Sequence, residues 1–330
     1  MNREFVRDTE PYRRELLAHC YRMLGSVHDA EDVVQETYLR AWRAFDGFEG
    51  RSSVRTWLYR IATNTCLNAL EHHSRRLLPS GLAGPEADPG AAPVPAGAEV
   101  RWLQPIPDAM VSQDSADPAA IVVGREGLRL ALIASLQYLS GPQRAVLILR
   151  DVLAFPAAEV AVMLGMSSIA VKSSLQRARA RIQQLAPAAG DVTEPDDPRA
   201  RSLLDRYIAA FERADTAALE RLLCDDATLE APPFTTWFDG CKTCVPFLGA
   251  QILGPPGTWR MLATRANGQP AAACYCRDAD GAYRPYGIVV LTTTSRGVSK
   301  IVSFGEPALV AVFGFPPVQP WPGPGRPVPP

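Results

Sequence analysis

The stretch FPAAEVAVMLGMSSIAVKSSLQRARARIQQL, residues 155–185, limits the fold more than any other. It contains two runs with helical spacing, broken once at Gly165. Pro156 suits a first helical turn. Val160, Ala161 and Leu164 form one apolar face. Gly165 permits a tight left-handed turn, and Ser167 can cap the next helix. In that helix Val171, Leu175, Ala178 and Ile182 return to one side, leaving Ser168, Lys172, Ser173, Gln176, Arg177, Arg179 and Arg181 outward. A helix that buries one stripe and offers such side chains on the other fits a DNA major groove. Its first turn would meet base edges and its arginines phosphates. The competing reading is a solvated helix in a bundle.

Charge helps to separate these readings. The whole chain carries −1, which argues against a uniformly basic nucleic-acid binder. Residues 125–186, however, hold 8 basic and 3 acidic side chains, whereas residues 77–124 hold 1 and 6. The basic excess is therefore concentrated around the two-helix segment. Proline partitions as well: residues 77–124 contain 8 of the 30 prolines, so that segment reads as a linker without a core of its own. At 330 residues, two or three domains are expected. The division read here is a helical domain at 1–76, a Pro-rich acidic linker at 77–124, and a helix-turn-helix domain at 125–186. A short linker at 187–199, an α+β domain at 200–312 and a Pro-rich tail at 313–330 follow.

In the first block, SVHDAEDVVQETYLRAWRAF places Val27, Ala30, Val34, Thr37, Tyr38 and Ala41 at helical spacing, with Ser26 as a plausible cap. Asp29, Glu31, Asp32, Gln35 and Glu36 decorate its other faces. Trp42 and Trp57 are assigned to the core. The turn DGFEGRSS then leads to a second helix, VRTWLYRIATNTCLNALEHHSRR. After one amphipathic helix at 200–223, TWRMLATRANG, PAAACYCRD, YGIVVLTTTS and VSKIVSFGEP read as strands separated by turns. No apolar run reaches the roughly 18 residues needed to cross a bilayer. The charged N-terminus lacks a signal core, and seven cysteines, an odd number, fit a reducing cytoplasm.

With both helical blocks in view, the chain resembles an RNA polymerase sigma factor of the extracytoplasmic-function group. GSVHDAEDVVQETYLRAWRAF resembles the acidic region 2 helix that docks on the polymerase clamp coiled coil. FEGRSSVRTWLYRIATNTCLNALEHHSRR resembles the part that melts and reads the minus-10 element. The two-helix segment resembles region 4, which reads the minus-35 element beside the polymerase flap. The resemblance implies a clamp surface of Asp29, Glu31, Asp32, Gln35 and Glu36. It implies a base-trapping loop at Phe48–Ser53 that includes Arg51 and Ser52. A strand-binding face would follow at Arg55, Arg60, Asn64 and Asn68, with phosphate contacts at Arg75 and Arg76. Phe45, Phe48 and Tyr59 are candidates to stack on bases.

Residues 200–310 resemble a SnoaL-like α+β cone with a pocket, a domain that some of these sigma factors carry in place of a separate anti-sigma partner. WLQPIPD at 102–108 and NGQPA at 267–271 look like motifs of that subgroup, whereas GCKTC after Asp239 departs from it. The expectation is that Trp102 and Pro105 meet Trp237, Asp239, Asn267 and Gln269, fixing the two DNA-binding domains.

Cys241, Cys244, Cys274 and Cys276 have spacing compatible with zinc. The Cys274/Cys276 pair lies on a probable strand, which favours a core role, so neither metal nor cofactor is assigned. All four histidines, His19, His28, His72 and His73, lie in the first block. Glu230 and Asp239 alone do not make a catalytic pair, so no enzymatic role is assigned. Two rivals remain: a one-component helix-turn-helix regulator with a small-molecule pocket, and a cyclase-type enzyme fused to a DNA-binding segment.

Overall fold

The computed structural model describes residues 3–71, 75–111, 127–185, 192–194 and 197–318. His72 and His73, most of the 187–199 linker and the end of the Pro-rich tail lie outside them. The chain forms two compact units, Met1–Leu77 with Glu99–Ala188, and Leu78–Ala98 with Ala189–Pro330.

The first unit is helical. Its first half contains α1 (Arg3–Thr9), α2 (Arg13–Leu24), α3 (Val27–Ala44) and α4 (Val54–Glu71). Gly25 ends α2 at φ 70°, and Ser26 starts α3 by accepting the Asp29 amide at 3.1 Å. Val27, Ala30, Val33, Val34, Thr37 and Ala41 face inward. Ser53 caps α4 through the Thr56 amide. Downstream come the short α5 (Asp108–Val111), α6 (Leu130–Leu136), α7 (Gly141–Leu147), α8 (Ala157–Leu164) and α9 (Ser168–Leu185).

The two halves pack together rather than standing apart. Buried Arg144 of α7 donates to Met23 O of α2 and, at 3.0 Å, to Gln137 Oε1. Burial lowers its pKa to about 10. Phe155 lies 5.1 Å from the Tyr59 ring of α4, ring centre to ring centre. His19 of α2 is sealed beneath α4, its Nε2 2.9 Å from Thr63 Oγ1. Burial, with Arg22 adding to it, pushes its pKa down to about 3.

The second unit wraps a curved sheet around helices. Its strands are β1 (Leu223–Glu230), β2 (Trp237–Asp239), β3 (Trp259–Ala266), β4 (Gln269–Arg277), β5 (Tyr283–Thr294) and β6 (Gly297–Phe304). Their order is β2-β1-β6-β5-β4-β3, with only β1 and β6 parallel. Register shifts at Cys274/Tyr275 and Thr292/Thr293 bend the long strands into a cone. Against the sheet lie α10 (Pro198–Glu212), α11 (Thr216–Leu222), α12 (Cys241–Phe247) and α13 (Pro307–Val312). The architecture is thus two helical domains and an α+β cone.

The segment expected as a free linker is a strap in its first half. Leu78–Ala98 belongs to the second unit. Trp237 Nε1 donates to Ala83 O at 2.8 Å, Glu86 N to Trp237 O at 2.8 Å, and Thr235 N to Val94 O at 2.8 Å. Proline denies this chain a helix, yet its extended backbone keeps groups that can pair with the edge of a sheet. Strand β2 is that edge.

No single helix among the described residues is long and apolar enough to cross a membrane. The bent pair that passes by length and composition is α8 with α9, at 98°.

Candidate nucleic-acid and polymerase interfaces

Helices α8 and α9 meet across Gly165, whose φ is 62°. Ser167 Oγ caps α9 through the Ala170 amide at 3.1 Å. Val160, Ala161, Met163, Val171, Leu175 and Ala178 form the buried seam. Met163, not the half-buried Leu164, completes it. Ser168, Lys172, Gln176, Arg177, Arg179 and Arg181 are exposed and Ser173 is half-buried, its hydroxyl donating to Ala170 O at 3.1 Å. Arg179 makes a bidentate pair with Asp151, its Nε and Nη2 donating at 2.8 and 2.7 Å. Ile169 was missed by the sequence reading. It is 80% exposed and, at helical periodicity, lies on the outward face between Lys172 and Arg177.

Helix α4 presents a mixed picture. Arg60, Asn64 and Asn68 are exposed along one line, and Ser52 and Ser53 are exposed ahead of them. Arg51 is exposed and pairs with Glu49 at 2.8 Å. Arg75 is exposed, its guanidinium 4.9 Å from the Tyr138 ring. Three expectations fail. Arg55 is held by Glu15 at 3.0 and 3.1 Å and lies over the Phe155 ring at 4.7 Å, so its charge is used inside the protein. Tyr59 is fully buried and has no face for a base. Arg76 bonds Asp29 at 2.6 Å and the Trp102 carbonyl at 2.8 Å, which makes it a brace rather than a phosphate contact. Phe48 is half-buried, 4.8 Å from the Trp57 ring. Phe45 packs on Phe5 at 5.3 Å.

The acidic helix also needs one correction. Asp29 is neutralised by Arg76 and by Arg101 at 3.1 Å, so it belongs to the internal bracing. Asp32 and Gln35 are exposed, Glu31 is half-buried, and half-buried Glu36 pairs with Arg40 at 2.7 Å. Trp42, expected in the core, is 47% exposed, as is Leu39. The buried stripe continues through Ala41, and Trp42 falls one position off it. The outer face of α3 is thus acidic at its start and apolar at its end.

Several residues named for the interdomain contact have partners within their own unit. Trp102 pairs with Leu77 as an isolated parallel bridge, Gln104 O accepts from Tyr21 at 2.7 Å, and Pro105 is buried. Gln269 is also buried, donating to Leu291 O and to Thr292 Oγ1 at 2.9 Å within the sheet. Asn267 occupies the β3–β4 turn at φ 57°, and Asp239 is exposed at the end of β2. Trp237 does meet the linker, but at Ala83 and Glu86.

The cysteines Cys241, Cys244, Cys274 and Cys276 are free thiols, and burial raises the pKa of each. Among the described residues no three His, Cys, Asp or Glu side chains gather to hold a metal ion. Glu230 is buried between the Ser80 amide, at 2.8 Å, and the Lys300 ammonium, an arrangement that anchors the strap.

Comparison with known proteins agrees with this geometry. The sigma-70 region 2 family matches residues 9–76, and the sigma-70 region 4 family matches residues 129–182. The chain is 52% identical over 315 residues to the ECF RNA polymerase sigma factor SigG of Mycobacterium tuberculosis, covering 95% of this chain and 84% of that one. It is 33% identical over 225 residues to SigJ of the same organism, covering 68% and 63%. The crystal structure of M. tuberculosis SigJ matches at a TM-score of 0.59 and 25% identity, over 94% of this chain and 99% of the other. A one-component regulator has no need of region 2, so that rival is set aside. The chain belongs to the extracytoplasmic-function group of sigma-70 RNA polymerase sigma factors.

Proposed function

We propose that this sigma factor binds core RNA polymerase through the outer face of α3, with Asp32, Gln35 and Glu36 meeting the clamp coiled coil and Leu39 and Trp42 extending the contact. Helix α9 reads the minus-35 element beside the flap. Lys172 and the first turn face bases, and Arg177 and Arg181 face phosphates. The Phe48–Ser53 loop, Arg60, Asn64 and Asn68 handle the minus-10 strand, where taking a base out of the stack costs a few kcal/mol. The observation that carries this reading is the exposed polar face of α9 across the Gly165 turn, behind a region 2 domain. The group initiates transcription and is not an enzyme class, and Glu230 is engaged by Ser80 and Lys300 rather than poised for catalysis. Action is in the cytoplasm, on promoter DNA rather than at a membrane. The fused domain takes the regulatory role, with no separate anti-sigma factor required.

Run-off transcription with core polymerase tests the assignment. Promoter-specific transcripts are expected with the wild type. Charge reversal at Asp32 and Glu36 together should weaken core binding at least roughly tenfold without lowering the melting temperature. Absence of promoter-specific transcripts would sink the reading, and unchanged core affinity would sink the docking face.

A further inference from the structure

Asp29 heads an acidic row on α3 that continues through Asp32 and Glu36, at steps of three and four residues. Asp32 is exposed and Glu36 half-buried, whereas Asp29 is covered by two guanidiniums. The two are held very differently. Arg76 is fixed: its side chain is 11% exposed, its Nη2 and Nε donate to Asp29 Oδ2 at 2.6 and 3.2 Å, and its Nη1 donates to Trp102 O at 2.8 Å. Arg101 is attached by one nitrogen. Its side chain is 26% exposed, and Nη2 reaches Oδ2 at 3.1 Å and Oδ1 at 3.4 Å. Among the described residues Oδ1 has this one long contact, so that oxygen keeps most of its capacity to accept.

The backbone around Arg101 is secured independently of its guanidinium. Leu77 N donates to Arg101 O at 3.0 Å, and Leu103 N donates to Leu77 O at 3.0 Å. Gln104 Oε1 accepts from Ser26 Oγ at 2.6 Å, and Gln104 N donates to Gly25 O at 3.0 Å. Residues 101–104 therefore stay clipped to the start of α3 when the Arg101 side chain rotates away. Giving up one part-exposed ion pair costs little. A partner's lysine or arginine placed on Oδ1 regains a charge-assisted hydrogen bond.

We infer that Asp29 belongs to the polymerase-docking face and that Arg101 is an internal stand-in for the cation it meets there. The inference rests on the docking role of α3 proposed above. In the free chain Arg101 closes the head of the acidic row. When core polymerase docks, a lysine or arginine of the clamp takes Asp29 Oδ1, Arg101 swings out and Arg76 stays. The contact is self-inhibitory, lowering the affinity for core by the strength of one ion pair.

The test titrates the labelled full chain with core RNA polymerase and melts each variant alone. Arg101→Gln should tighten core binding about threefold. Arg101→Lys keeps the cation and should bind like the wild type. Asp29→Asn should weaken binding about twofold in the wild type but about sixfold in the Arg101→Gln background, where the competitor is gone. A simple brace predicts the opposite signs: weaker binding for Arg101→Gln, and a smaller effect of Asp29→Asn in its background. Either of those results, unchanged affinity for Arg101→Gln, or an equal gain from lysine and glutamine would overturn the proposal. Should Asp29→Asn melt early, the Arg101→Gln and Arg101→Lys arms still decide it. Charge reversal at Asp32 and Glu36, measured alongside, separates the two levels. If it weakens binding and Arg101→Gln does not tighten it, the stand-in alone fails; if it changes nothing, the docking face fails and takes the stand-in with it.

Discussion

Helices α4 and α9 carry the same kinds of side chain, yet the protein presents them differently. Along α9 every residue expected to face DNA is exposed or half-exposed, and only Arg179 is held by an acidic partner. Along α4 the first turns are sealed: Arg55 lies on Phe155, Tyr59 is buried, and Thr56 Oγ1 donates to Glu159 of α8 at 3.2 Å. Only Arg60, Asn64 and Asn68 remain open. The proposed groove-reading surface is therefore already open in the folded chain. The proposed strand-separating surface is partly covered by the helical half that carries α9, at Phe155 and Glu159.

The largest effect should come from breaking that seal. Phe155→Ala removes a buried ring and should cost about 3–4 kcal/mol in denaturant melts. Amide exchange along α4 should speed up while exchange in the middle of α9 changes less. Equal protection of α4 in the variant would mean that Phe155 does not hold it closed.

Acid attacks the contact between α2 and α4, on the other side of Tyr59. His19 has a folded pKa of about 3 against about 6.5 when unfolded, so the unfolded chain takes the proton first. Stability from this group is complete above pH 6.5 and falls below it, by about 2–3 kcal/mol at pH 4.5. His19→Gln should flatten that part of the pH profile, and an unchanged slope would assign the acid sensitivity to other groups.

Sharpening the account of α9 requires promoter binding by holoenzyme. Lys172→Ala should cost about 1–3 kcal/mol at one minus-35 position, whereas Arg177→Ala should weaken all sequences alike and reduce the salt slope. Swapped results would turn the helix in its groove. Ile169→Ala should reduce preference for thymine at one position, because an exposed aliphatic side chain there meets the C5-methyl group. Replacing thymines with deoxyuridine checks this position by position. The smallest effect is expected from Asp151→Asn, which frees Arg179 from an exposed pair worth no more than about 1 kcal/mol. It should steepen the salt dependence of DNA binding slightly, and no change would leave Arg179 outside the interface.

The helix-turn-helix was legible because its signals are local: one glycine, one capping serine and a clear apolar stripe. Strands β3–β6 were legible for the same reason, each bounded by turn residues. What escaped was set by distant partners. Nothing near Asp29 in sequence announces Arg76 and Arg101, and nothing near Arg55 announces Glu15 and Phe155. Trp42 misled because indole is usually buried, although Ala41 beside it fills the inward position. The strap misled in the opposite sense. Its composition rules out a core, but composition does not report an available sheet edge.

That strap alters what a deletion experiment means. In chain order the protein enters the helical unit, leaves it for residues 78–98, returns, and leaves again after residue 188. The C-terminal domain is therefore not a detachable appendix. A chain cut after the second helical half would keep the strap but lose its seat, exposing a proline-rich segment with unpaired backbone. A domain produced from residue 189 onward would have a bare β2 edge open to pairing with another copy. Loss or gain of activity in such truncations reports these two injuries as well as any regulatory role. Cleaner dissection would graft residues 78–98 onto the isolated domain, so that each product inherits whole structural modules.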